Sequence, residues 1–134
     1  MSLLARLLAK IDELLLTERK ETLYVIELII TGVLTDNRDF HSEIKEGKRL
    51  IRKRLEGRVE EEEFDFIYSL FERKLMYYKE HDTKTYRLKQ MITDRILREQ
   101  RTEDAKLLQS IYKSDGMEQK QETDVLKRLQ PLLK

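Results

Sequence analysis

Apolar residues along this chain recur at helical rather than alternating intervals almost throughout. Four glycines and one proline in 134 residues leave few breaks. The pattern predicts an all-α fold, a charge-rich helical bundle of four to five helices followed by a short amphipathic C-terminal segment. In the first segment Leu4, Leu7, Leu8, Ile11, Leu14 and Leu15 fall on one wide helical arc, with Arg6, Lys10 and Glu13 opposite. The polar stretch TERKET, residues 17–22, either continues this helix or marks a joint. The next run, LYVIELIITGVL from Leu23 to Leu34, is apolar around its whole circumference and is therefore central or an oligomer contact. Its β-branched content would suit a buried strand, but no partner ladder exists elsewhere in the sequence, so helix is the expectation.

Gly32 and then TDNRD, residues 35–39, read as a helix stop and a turn. The next helix should start between Asp39 and Ser42 and end at Gly57, with Phe40, Ile44, Leu50, Ile51 and Leu55 inside. Gly47 in its middle costs about 1 kcal/mol relative to alanine. Arg54 projects into the apolar arc, where a guanidinium needs a carboxylate, several carbonyls or a route to water. A third helix over roughly residues 60–80 should bury Phe64, Phe66, Ile67, Leu70, Phe71, Leu75, Tyr77 and Tyr78, with Glu63 and Lys74 intruding on that face. HDTKT, residues 81–85, offers a turn with caps in Asp82 and Thr83.

The fourth helix carries Leu88, Met91, Ile92 and Ile96 on one side, whereas Leu107, Leu108, Ile111 and Tyr112 fall nearly opposite if the helix continues. That phase change predicts a bend or restart, with Thr102 as N-cap before Glu103 and Asp104. The organisation expected is a helical domain over 1–115, a polar connector over 116–123, and an amphipathic segment over 124–134 broken near its end by Pro131.

Composition narrows the chemistry. A chain of this length is most economically one domain. Cysteine is absent, which removes disulfides, thiolate nucleophiles and thiolate metal sites and fits a reducing, cytoplasmic setting. The Leu23–Leu34 run contains Glu27 and is far shorter than the roughly 20 residues of a membrane span. Arg6, Lys10, Asp12 and Glu13 interrupt what would be the apolar region of an export signal. Basic and acidic residues number 27 and 26, so any electrostatic partner must be read from local patches.

The sharpest such patch is KEGKRLIRKRLEGRVEEEEFDF, residues 45–66. Residues 45–58 carry seven basic and two acidic side chains, and residues 59–65 carry five acids. Lys45, Arg49, Arg52 and Lys53 share the face away from Leu50, Ile51 and Leu55, with Lys48 at its margin. They could track a phosphate backbone, or they could be neutralised by the glutamates. The aromatics sit on the acidic helix, so stacking on nucleic-acid bases lacks its usual ingredients. Consecutive glutamates on a helix diverge and do not converge on a cation.

The order His41, His81-Asp82, Asp124 resembles that of helical metal-dependent phosphohydrolases, which use a histidine, a histidine-aspartate pair and a later aspartate. The resemblance implies phosphoester hydrolysis on a metal centre. This sequence departs from it in lacking apolar and small residues around the pair, and it has no His-x-x-x-His spacing and no Gly-rich phosphate loop. No enzyme is expected, and no cofactor, metal, membrane or small-molecule substrate. The expected function is a helical interaction protein, an adaptor, chaperone-like or assembly subunit that binds a protein partner or itself as a homo-oligomer. The expected contact residues are Leu23, Tyr24, Ile26, Ile29, Ile30, Val125, Leu126, Leu129 and Leu132. A nucleic-acid-binding subunit using helix 45–58 is the second reading, and an HD-like phosphohydrolase the third.

Overall fold

The computed structural model describes residues 2–34, 39–114 and 120–133, and over 6–18 it describes the backbone alone. The described residues form six helices: α1 (Leu3–Val33), α2 (Phe40–Leu55), α3 (Glu63–Lys79), α4 (Asp82–Glu99), α5 (Thr102–Ser114) and α6 (Lys120–Leu133). The fold is all-α, with one helix more than the upper end of the expected range once the C-terminal segment is counted as helix.

α1 begins where the Ser2 hydroxyl accepts the Ala5 N–H at 3.1 Å. It passes through TERKET without a break, because nothing there interrupts the backbone ladder. Its 31 residues make a rod about 46 Å long, roughly twice the length of α2 or α4. α1 packs against α2, α3, α4 and α5, and Tyr24, Val25, Ile26, Leu28, Ile29, Ile30, Val33 and Leu34 are all buried. From Tyr24 to Leu34 the apolar circumference of this run is therefore covered within one chain, so of the two expected placements the central one is found. The helix stops as expected, at Val33, one residue past Gly32, and Gly32 itself lies under the side chains of Leu108 and Ile111 on α5. The turn expected at 35–38 lies outside the described residues.

Asp39 caps α2 by accepting the Ser42 N–H at 2.8 Å. Gly47 does not interrupt the helix. Its missing side chain lets the Phe71 ring of α3 lie directly on the α2 backbone, where a β-carbon would overlap the ring. Beyond α2, Gly57 takes a φ of 81° and reverses the chain. α3 starts three residues later than expected, at Glu63, so Glu60–Glu62 belong to the approach. Phe64, Ile67, Phe71 and Leu75 form its buried line, and Glu63, Phe66 and Tyr77, expected inside, are exposed. The spacing of the four buried residues uses one narrow arc, and those three lie off it.

At the α3–α4 corner His81 occupies the N-cap position without a side-chain cap bond, in place of Asp82 or Thr83. Thr85 closes the turn by donating to the Tyr78 carbonyl at 2.6 Å. α4 buries Leu88, Ile92 and Ile96 together with Thr85, Lys89 and Thr93, and turns Met91 outward. It ends with Gln100 in the left-handed region, φ 51°, where the Gln100 N–H reaches the Leu97 carbonyl at 3.3 Å and the Arg101 N–H the Ile96 carbonyl at 2.9 Å. These are the two bonds of a Schellman motif, and the break falls where the apolar phase shifts. The Arg101 carbonyl accepts the first α5 bonds, so the cap lies one residue before Thr102.

α6 packs on α4 and α5. Val125 and Leu129 are buried, and Leu126 and Leu132 are partly so. Residues 120–123, expected in the connector, are the first turn of this helix, and residues 116–119 lie outside the described ones. Pro131 does not break the helix. It sits exposed in the last turn, where its missing N–H removes a single ladder bond. No helix among the described residues is long and apolar enough to cross a membrane.

Candidate interaction face

The side chain that most needed a partner is Arg54, and it finds one on α5: its guanidinium donates to the carboxylate of Asp104. Asp104 is buried and also accepts the Tyr24 hydroxyl at 2.6 Å, with Arg101 at 3.8 Å. Two guanidiniums lie over the Tyr24 ring, Arg95 at 4.4 Å and Arg101 at 4.1 Å from its centroid. Arg101 reaches outward to Glu21 at 3.1 Å and Glu99 at 2.8 Å. Burial, followed by the Asp104 carboxylate, pushes the Tyr24 hydroxyl pKa up. Burial opposes the Arg101 charge, but Glu21 and Glu99 outweigh it and raise the guanidinium pKa. The network ties α1, α2, α4 and α5 together and leaves its charges matched, so its chemistry is structural.

Asp104 was legible only as a helpful acid in a first turn. Yet it lies four, seven and eight residues before Leu108, Ile111 and Tyr112, on their arc, and that register was the available signal. Glu43 is similar: it is buried, lies four and seven residues before Gly47 and Leu50, and pairs with Lys79 of α3. Lys74 meets Glu27 of α1 at 3.9 Å.

The basic helix largely turns to its own neighbours. Lys48 pairs with Glu72 at 2.5 Å, Arg49 with Glu46 at 2.6 Å, and Arg52 with Glu61 at 2.7 Å while lying 4.4 Å over the Phe64 ring. Lys45 and Lys53 are exposed. The acidic approach to α3 thus neutralises part of the cationic face of α2.

The nine expected contact residues divide sharply. Tyr24, Ile26, Ile29, Ile30, Val125 and Leu129 are buried in the bundle, and Leu126 and Leu132 partly so, which leaves Leu23, 36% exposed. Leu23 lines two hollows at once. One, of about 590 Å³, lies between α1 and α3 and is walled by Thr22, Leu23, Val59, Phe66, Ile67 and Leu70, with Arg19, Glu62 and Glu63 as its charged lining. The other, of about 250 Å³, lies between α1 and α4 beside Met91 and Arg95. Phe66 is 65% exposed and Met91 62%. One apolar strip therefore runs from α3 across α1 to α4. Leu23 was expected at a contact face, whereas Phe66 and Met91 were expected inside and become visible only when the arcs of α3 and α4 are placed against α1.

The histidines stand at helix starts. His41 is exposed in the first turn of α2, and His81 Nδ1 lies 2.7 Å from the Tyr77 carbonyl with its ring 4.5 Å from the Tyr77 ring. Asp124 is exposed on α6. Among the described residues no group of three or more histidine, aspartate or glutamate side chains is arranged to hold a metal ion. Compared with protein-family models, curated proteins and solved structures, the chain matches none, so function must be argued from its own residues.

Proposed function

We propose that this chain is a non-enzymatic helical interaction protein, an adaptor, chaperone-like or assembly subunit that acts through protein–protein contacts, including contacts with itself. The observation that supports it is the apolar strip of Phe66, Leu70, Leu23 and Met91. Large apolar side chains that lie together across three helices, beside a hollow rimmed with charge, have the composition of a protein contact face. Single exposed apolar residues would carry no such meaning. The nucleic-acid reading draws less support, because Lys48, Arg49 and Arg52 are each engaged by a carboxylate of the same chain.

The test is co-purification of two differently tagged copies, and of any further chains, with the native protein and with a Phe66→Asp/Met91→Asp variant. Both positions are exposed, so the variant should fold. Recovery of associated chains should be lost in the variant; equal recovery from both would contradict the proposal.

A further inference from the structure

The charges around the apolar strip are placed so that it complements a rotated copy of itself. α1 forms its middle, with Leu23 between Phe66 on α3 and Met91 on α4. Contacts along α1 fix the directions of its two neighbours. Leu23 lies beside Phe66 and Leu70, and Glu27 meets Lys74, so α3 runs the same way as α1. Glu21 meets Arg101, just past the end of α4, and the Tyr24 ring meets Arg95, so α4 runs the opposite way.

These directions set opposite charges diagonally across Leu23. On the α3 flank, Glu62 and Glu63 come one turn before Phe66. On the α4 flank, Arg87 comes one turn before Met91. Because α4 is reversed, Arg87 lies beyond the strip in the direction of α1, whereas the two glutamates lie ahead of it. On α1 itself Arg19 stands four residues before Leu23 and Glu27 four residues after, along one side of the helix. A half-turn about an axis through Leu23, perpendicular to this face, therefore exchanges Phe66 with Met91, Glu62 and Glu63 with Arg87, and Arg19 with Glu27. Each exchange brings apolar onto apolar or acid onto base. Arg19, Glu62, Glu63 and Arg87 are exposed, and among the described residues none of them has an ion-pair partner, while Glu27 reaches Lys74 only at 3.9 Å. A rim of one sign would repel its own copy, and this rim attracts it.

We propose, resting on the self-association reading above, that a second copy of this chain covers the strip by two-fold apposition. α1 crosses its counterpart at Leu23, Phe66 packs on Met91 of the other copy, and Glu62 and Glu63 face its Arg87. In such an isologous contact every pair off the axis is made twice, and only Leu23 meets itself.

The axis gives the test its signature. Because the chain has no cysteine, single-cysteine variants report contacts cleanly. Leu23→Cys should form a disulfide with its own copy under mild oxidation. Phe66→Cys should not cross-link to itself but should cross-link to Met91→Cys when the two chains are mixed. Arg87→Glu should raise the dimer dissociation constant at least tenfold, and Glu62→Lys/Glu63→Lys in the same chain should restore it. All of these positions are exposed, so helical circular dichroism should be unchanged. If the copies associate but Leu23→Cys does not cross-link to itself and Arg87→Glu has no effect, this geometry is overturned while the interaction reading stands. If the native chain stays monomeric at all concentrations and Phe66→Asp/Met91→Asp releases a different protein, a second copy is not the occupant and the two-fold contact falls. If that variant leaves every association unchanged, both readings fall.

Discussion

At the residue scale the decisive contact is the buried carboxylate of Asp104, held by Arg54, Arg101 and the Tyr24 hydroxyl. Removing one member of such a group leaves the others uncompensated. Asp104→Asn should destabilise the chain by about 3 kcal/mol, the lower end of the usual range because Arg54 and Arg101 are partly exposed and can find water. Arg54→Met/Asp104→Leu should lose less than the two single changes together, as read by urea unfolding. The Tyr24 hydroxyl also carries a pH signature. Its pKa is raised in the fold, first by burial and then by Asp104, against the opposing pull of Arg101 and Arg54. An unfolded tyrosine loses its proton near pH 10. Above that pH the unfolded chain releases a proton that the folded chain retains, so this contribution is complete below pH about 10 and is lost as pH rises further. Tyr24→Phe should flatten the alkaline fall in urea midpoint; Tyr78, also raised by burial, keeps part of the slope. An unchanged slope would remove Tyr24 from the account. In the sequence, Arg54 was legible as a charge in need of a partner. Its partner was not, because it lies 50 residues away on a helix whose direction only the α4–α5 corner fixes.

At the scale of elements, α2 gives the clearest contest between local propensity and packing. Helix propensity alone says that Gly47→Ala should stabilise α2 by about 1 kcal/mol. The Phe71 ring occupies the space that the methyl would take, so the substitution should instead destabilise the chain, by roughly 1–3 kcal/mol. A rise in thermal midpoint would show that the ring yields easily. Pairing with Phe71→Leu should relieve part of the loss. Element types were legible throughout because apolar spacing is a local property, and the restart near Thr102 was readable from a change of phase. Element ends were less so. Gly32 marks the end of α1 to within one residue but is itself a packing contact under Ile111, and Pro131 looks like a breaker but sits where only one ladder bond is at stake.

For the whole molecule, the sequence pattern identifies residues 23–34 as the most apolar segment, and the fold explains it by central position, with four helices around α1. What local pattern could not provide is which apolar residues remain outside once the helices assemble. Leu23, Phe66 and Met91 come from three separate helices and become one strip only through packing. The same holds for charge. The basic run of α2 and the glutamates before α3 are neighbours in sequence, but only the turn at Gly57 shows Arg52 reaching Glu61. Sedimentation velocity across a range of concentrations tests the central claim most directly. The native chain should pass from 16.2 kDa monomer to dimer as concentration rises, and Phe66→Asp should remain monomeric with unchanged helical circular dichroism. Native and variant chains that sediment alike as monomers would contradict it.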